Sequence, residues 1–264
     1  MKLTVLGSGS TVPHPTRTSS LYWLDTAGGS VLLDCSASAG SRMAEKGLDW
    51  PNLDAIWISH FHMDHVGGLG PLLAGTKHAS EMKEREKPLK IFGPGGIKGL
   101  VDRFSDVNNY RLLEQPFPVE IVEIETLEPF EILPGIEATP MKTPHTPESH
   151  ALHIRDADNL TLVYSADTAL TEDIATLARG ADLFVLECTY FRDKPAKKHL
   201  ELSEAVYLIR KAKPKRAMLT HFYPEWDKVN FRAEVAKLSP MCTVIEAVDG
   251  LRIDISEQKV KTEN

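Results

Sequence analysis

Cysteine is scarce in this 264-residue sequence: Cys35, Cys188 and Cys242 are widely spaced and odd in number. This excludes a disulfide scaffold and fits a reducing compartment. With no C-x-x-C pair there is no structural zinc motif of that type, and each cysteine is expected to pack as a small buried hydrophobe. Long apolar runs are also missing. None approaches the roughly 20 residues a spanning helix needs, and the first residues enter a strand pattern without a basic segment and apolar stretch, so neither a membrane span nor a secretory leader is expected. A cytoplasmic location is the resulting expectation. Nor is there an excess of basic residues: 30 Lys and Arg face 37 Asp and Glu, a net charge of −7 that argues against non-specific binding to a polyanion. Internal repeats and low-complexity segments are absent. What remains, 42% hydrophobic and 25% charged, is ordinary for a globular chain able to bury a sizeable core.

The histidines are not ordinarily distributed. Ser59-His60-Phe61-His62-Met63-Asp64-His65-Val66-Gly67-Gly68 follows the apolar run Ala55-Ile56-Trp57-Ile58 and places three histidines and an aspartate within six residues where a strand ends. Imidazole nitrogen and carboxylate oxygen are ligands that Zn²⁺ prefers, and a short loop at a strand end can aim several at one point. Metal chemistry is the expected function. Further apolar runs also close on a ligand type. His145 lies in Thr143-Pro144-His145-Thr146-Pro147, Asp167 ends Leu160-Thr161-Leu162-Val163-Tyr164-Ser165-Ala166-Asp167, and His221 ends Ala217-Met218-Leu219-Thr220-His221.

This order of motifs, from the opening Lys2-Leu3-Thr4-Val5-Leu6-Gly7-Ser8-Gly9-Ser10 to the last strands, resembles the metallo-β-lactamase fold. The resemblance implies an α/β (α+β) chain folded as a four-layer αββα sandwich. Ligands spread from His60 to His221 must then meet in space, so residues 1–256 are expected to form one hydrolase domain, followed by a polar tail over 257–264. By the same resemblance His60, His62 and His145 hold one metal, Asp64, His65 and His221 hold a second, and Asp167 bridges them. Two zinc ions are the expected cofactor, with manganese or iron as substitutes at an N/O site. Such a pair shares a water, lowers its pKa toward about 7 and presents hydroxide for in-line attack. Two dications, two aspartates and one hydroxide leave about +1 at the centre, which favours an anionic substrate such as a phosphodiester.

Asp182-Leu183-Phe184-Val185-Leu186-Glu187-Cys188-Thr189-Tyr190, and His199 ahead of Ser203-Glu204-Ala205, resemble segments of the ribonuclease Z branch. There a glutamate orients a histidine that protonates the leaving oxygen. Catalytic roles accordingly fall to Glu187 and His199 together with Asp64. Two departures tell against transfer-RNA maturation. That branch inserts a long Gly-rich, RNA-gripping arm between the ligands matching His145 and Asp167, whereas only residues 146–166 lie between them here, and Leu186 stands where the branch usually has His. A small or nucleotide-like phosphodiester is therefore the expected substrate, and long structured RNA is not. A lactone, thioester or other carboxylic ester is the alternative. A non-catalytic metal- or nucleotide-binding protein fits poorly with a complete ligand set. The family also makes a homodimer an expectation.

Alternating patterns place strands at 2–6, 20–25, 30–34 and 54–58, then 119–124, 136–141, 151–155 and 160–164 as the start of a second sheet, and finally 182–186 and 216–220. Lys90-Ile91-Phe92 is a further strand, turning through Gly93-Pro94-Gly95-Gly96 into a helix. Helices are expected from an N-cap at Ser36 toward Lys46, from Gly67-Gly68, and near 171–179 and 202–212. The charged run 81–87 reads as a solvated surface, and 100–118 as a surface excursion or a lid. His14, in Val12-Pro13-His14-Pro15, can approach the pocket from the first loop, its role left open. His78 is expected in solvent, and His150 and His153 on or behind a sheet face. Phe222, Tyr223 and Trp226 line the pocket or pack.

Overall fold

In a computed structural model, described over residues 1–124 and 127–256, short apolar runs build two seven-stranded sheets packed face to face. The expected polar tail 257–264 lies outside the described residues. The first sheet contains β1 (Lys2–Gly7), β2 (Leu21–Thr26), β3 (Gly29–Leu33), β4 (Ala55–Trp57), β5 (Leu89–Pro94) and β6 (Val119–Ile124). The second contains β7 (Phe130–Leu133), β8 (Ile136–Lys142), β9 (His150–Asp156), β10 (Thr161–Tyr164), β11 (Leu183–Glu187), β12 (Arg216–Thr220) and β13 (Thr243–Glu246). β14 (Arg252–Asp254) returns to the first sheet beside β1. The strand orders are 14-1-2-3-4-5-6 and 13-12-11-10-9-8-7, each sheet mixing antiparallel and parallel pairs.

Strand β2 shows why the sandwich has four layers. Tyr22 and Leu24 point into the core between the sheets, while Leu21 and Trp23 point outward to a second core under the helices of the first sheet. Those helices are α1 (Ala39–Glu45), α2 (Met63–Val66), α3 (Leu69–Thr76) and α4 (Ile97–Asp106). On the far side α5 (Glu172–Leu177), α6 (Leu202–Ala212) and α7 (Phe231–Lys237) cover the second sheet with Ile174, Val206, Ile209 and Val235. With helices over both outer faces, central strands such as β3, β11 and β12 are buried on both sides, whereas the edge strands β6 and β7 keep exposed Glu120, Glu123 and Glu131. The expected αββα sandwich is the observed architecture. No helix is long and apolar enough to cross a membrane among the described residues.

Several local expectations are corrected. Ser36 does not cap α1. It is buried, and its hydroxyl donates to the Ser19 carbonyl, while Ser38 holds the cap position. Strand 119–124 is the edge of the first sheet, paired parallel to β5, and the second sheet starts one strand later. The run 81–87 is not wholly solvated: Arg85 is buried and donates to the carbonyls of Pro51, Leu53, Lys87 and Pro88. Residues 100–118 are partly helical through α4, and buried Leu112 and Phe117 tie the segment to the core under α3. Of the two alternatives for the aromatics, packing describes Phe222 and Trp226, which lie against Phe231, while Tyr223 lies beside Tyr190. Cys242 is only half buried.

Candidate metal centre

Strands of both sheets end along one side of the sandwich, and four of them deliver the candidate ligands there. β4 leads into the 59–65 loop and α2, β8 into His145, β10 into Asp167, and β12 into His221. Sharp turns are needed to leave the sheets. Asp34, Ala166 and His221 adopt left-handed backbone conformations at φ 61°, 49° and 64°. Non-glycine residues reach that region at a cost of roughly 1–3 kcal/mol each, and such strain collects at functional sites.

His60, His62, His145 and Asp167 bring one ligand atom each within 4.8 Å of one another, and so do Asp64, His65 and His221. The two Asp167 oxygens divide between the groups. Oδ2 lies 3.8 Å from His60 Nε2 and 3.6 Å from His145 Nε2, whereas Oδ1 lies 3.3 Å from His65 Nε2 and 3.4 Å from His221 Nε2. Asp64 Oδ2 stands 3.5 Å from His221 Nε2 and 3.8 Å from His65 Nε2. All seven sequence-predicted ligand residues thus converge.

The opposite ring nitrogens are held by the protein. His65 Nδ1 donates to Asp34 Oδ2 at 2.6 Å, and His145 Nδ1 donates to the Lys198 carbonyl at 3.0 Å. His60 Nδ1 meets Ser59 Oγ at 3.0 Å, and Ser59 Oγ in turn donates to Asp34. His221 Nδ1 donates to Thr189 Oγ1 at 2.7 Å, which donates on to Glu187 Oε2. A carboxylate or carbonyl accepts only, so Nδ1 carries a proton and a neutral ring presents its Nε2 lone pair to the centre. The buried Nε2 atoms of His60, His65 and His221 have no hydrogen-bond partner among the described residues. Such orphans are costly unless something else binds them.

A divalent ion fits them. Ligands about 2.0–2.1 Å from a tetrahedral ion stand about 3.3 Å apart, and the donor separations above, with His62 Nδ1 to His145 Nε2 at 3.1 Å, bracket that spacing. Electrostatics agree. Burial, reinforced by the charge of His65, depresses His60 to about 2, and burial lowers His145 as well, so both rings are neutral. Burial opposes ionisation of Asp64, but the His221 contact and the charges of His65 and His221 prevail and lower it to about 2. Burial likewise opposes ionisation of Asp167, yet His221 and His65 hold it well below the carboxylate range. Burial would strip His65 of its proton, but Asp167 and Asp34 raise it well above the ordinary imidazole value. Its Nε2 proton must leave when a cation arrives.

Beside the cluster, His199 Nδ1 donates to Glu187 Oε1 at 3.0 Å, and its ring stacks on His221 with centroids 5.3 Å apart. Glu187 is buried and also accepts from the amides of Thr168, Thr189 and Leu200. Burial pulls the His199 imidazolium down, but the hydrogen bond and charge of Glu187, then Asp167, outweigh it and raise the ring to about 9. His199 also falls within ligand range of Asp167 and His221. The remaining histidines stand apart from the cluster. His14 pairs with Asp227 at 2.6 Å and caps the amide of Thr16, His78 is exposed, and His150 and His153 lie on β9. Asp34, Thr189 and the Lys198 carbonyl are the functional groups that sequence reading missed. Only Asp34, a carboxylate closing the apolar run of β3, left a signal.

A family model described as a β-lactamase superfamily domain matches residues 30–222. The chain is 27% identical over 228 residues to the probable metallo-hydrolase YhfI of Bacillus subtilis, covering 84% of this chain and 86% of that one. It is 26% identical over 285 residues to a ribonuclease Z of Clostridium perfringens, covering 85% and 89% respectively. The crystal structure of the short form of human tRNase Z superposes with a TM-score of 0.79 at 21% identity, over 97% of this chain and all of that one, a likeness of fold.

Proposed function

The chain belongs to the β-lactamase superfamily as a metal-dependent hydrolase, and from that premise we propose that it is a phosphodiesterase acting on a small or nucleotide-like substrate. In this reading His60, His62, His145 and Asp167 hold one ion, and Asp64, His65, His221 and Asp167 hold a second. Zinc suits these donors. When bound, the ions supply Lewis acidity toward phosphoryl oxygen and an acidified water.

The observation that carries the phosphodiester assignment is the Glu187–His199 pair. Carboxylate contact at Nδ1 turns Nε2 away from Glu187 and keeps a proton on it. An alkoxide leaving group departs far more readily when such an imidazolium protonates it. The neutral His60 and His145 and the ionised Asp64 and Asp167 bind cations without first losing a proton. Similarity to enzymes named ribonuclease Z supports a phosphodiester bond as the target. Long structured RNA is disfavoured, because residues 146–166 contain only β9, β10 and their connections, leaving no length for an RNA-gripping arm.

The test is His199→Ala, assayed on a phosphodiester with a poor alkoxide leaving group, on bis-p-nitrophenyl phosphate, and on lactone and thioester panels. Expected is retention of metal with a roughly 10²–10⁴-fold loss on the poor leaving group, the usual contribution of a general acid, and a much smaller loss on the activated diester. Equal losses on both, or loss of a metal, would overturn the proton-donor role. A wild-type preference for carboxylic esters would overturn the phosphodiesterase reading.

A further inference from the structure

The segment between Glu187 and α6 forms a closed loop on the rim of the centre. Its base is fastened by Tyr190 N donating to the Leu200 carbonyl and Leu202 N to the Tyr190 carbonyl, both at 3.1 Å. Lys194 braces its interior, with Nζ donating to the His199 carbonyl at 3.0 Å and to Glu204 Oε2 at 2.6 Å. At the inner end the Lys198 carbonyl holds His145, and His199 follows directly.

The loop reads Phe191-Arg192-Asp193-Lys194-Pro195-Ala196-Lys197-Lys198-His199. Its charges do not cancel. Lys194 is neutralised by Glu204, the exposed Asp193 offsets one further cation, and the Arg192 guanidinium lies over the Phe191 ring. Lys197 and Lys198 are exposed and form no ion pair among the described residues. On a chain of net charge −7, two unpaired cations side by side at the mouth of the site create a local field opposite to that of the whole molecule. At physiological salt that field reaches only about 8 Å, so it selects among groups bound at the rim.

We infer that Lys197 and Lys198 form a second anion subsite, which takes a phosphate of the substrate other than the one being cleaved. The proposal rests on the phosphodiesterase reading and narrows it. The preferred substrate carries a further phosphate about one nucleotide unit from the scissile one, either a terminal phosphate or the next internucleotide linkage. The division of labour follows from the fold. Lys198 serves His145 through its carbonyl, which any residue at that position retains, so its side chain is available to the substrate.

The experiment compares wild type with the double variant Lys197→Gln, Lys198→Gln, each loaded with zinc. Calorimetric titration with thymidine 5′-monophosphate and thymidine 3′,5′-bisphosphate measures binding independently of turnover. Expected is a roughly 5- to 30-fold tighter binding of the bisphosphate by wild type, two exposed charge contacts at the favourable end of their range. This advantage should shrink with added salt and collapse toward parity in the double variant. Equal affinities in wild type overturn the subsite, as does an advantage that survives both substitutions. An equal loss for both nucleotides would assign the lysines to the fold or the metal centre and overturn it too. Cleavage of TpT, pTpT and TpTpT then separates the phosphate sources: pTpT favoured over TpT indicates a terminal phosphate, TpTpT favoured indicates an internucleotide one, and no advantage for either overturns the subsite. Failure to cleave any phosphodiester would sink the proposed function, while the two nucleotide titrations still decide the subsite.

Discussion

At the scale of single residues, the centre depends on groups that are not ligands. Asp34 accepts from His65, Ser59 and the Tyr164 hydroxyl, so one buried carboxylate fixes one histidine directly and another through Ser59. Partners of this kind typically contribute 10–100-fold to metal affinity. Asp34→Ala is therefore expected to weaken zinc binding by roughly that factor, read by competition with a chromophoric chelator, and an unchanged affinity would remove Asp34 from the centre. Asp167→Ala should be more severe, because both oxygens face ligand sets, and elemental analysis finding two ions per chain with unchanged turnover would refute the bridging assignment. The His199 ring gives a pH signature. Its value is raised to about 9, so the protonated donor persists at neutral pH and is lost as pH rises through that value, or somewhat lower once bound cations repel the proton. Activity on unactivated diesters should fall on that alkaline limb, and the limb should vanish in His199→Ala. The candidate ligands were legible because each is a metal-binding residue type closing an apolar strand. Thr189 and the Lys198 carbonyl were not, because a hydroxyl or peptide oxygen becomes a partner only through its position in three dimensions.

At the scale of elements, the site depends on how tightly the metal loop docks against the turn after β3. Cys35 N donates to the His65 carbonyl at 2.6 Å, and Gly68 N donates to the Cys35 carbonyl at 2.7 Å. A Cβ on Gly68 would stand 2.0 Å from the Ser36 carbonyl oxygen and 2.8 Å from that of Cys35. Both obstacles are backbone, so neither can rotate away. Gly68→Ala is expected to destabilise the fold by about 1–3 kcal/mol, the usual range for overpacking, and to lower metal content by shifting α2; a variant with wild-type melting temperature and full metal would show that the loops separate freely. Sequence patterning found most strands and placed α6 at its observed limits, since Leu202, Ala205, Val206 and Ile209 recur with helical spacing. It misjudged Arg85, whose charged neighbours in sequence give no hint that four carbonyls await its guanidinium. It also assigned β6 to the wrong sheet, because alternation specifies a strand but not its partner.

At the scale of the whole molecule, the candidate ligands come from both halves of the sandwich. His60, His62, Asp64 and His65 follow a strand of the first sheet, whereas His145, Asp167 and His221 follow strands of the second. Near the site backbone hydrogen bonds cross between the two halves from His150 N to the Ser59 carbonyl at 3.1 Å and from Phe222 N to the Ser8 carbonyl at 3.0 Å. Ions bound there would cross-link the two sheets, and without them the buried Nε2 atoms of His60 and His221 remain unpaired and His65 stays protonated between Asp34 and Asp167. Metal binding should therefore appear in global stability. A metal at 1,000 times its dissociation constant adds about 4 kcal/mol to the native state, and each kcal/mol moves the melting temperature of a domain this large by about 2–4 °C. Chelation is accordingly expected to lower it by roughly 8–16 °C, with recovery on adding zinc and release of protons on rebinding, measured by calorimetry in buffers of different ionisation enthalpy. Asp167→Ala should melt near the chelated wild type and respond little to chelator. If chelated and zinc-loaded wild type melt together although elemental analysis finds bound zinc in only the latter, the ions do not bridge the sheets and the ligand assignment across the sandwich fails.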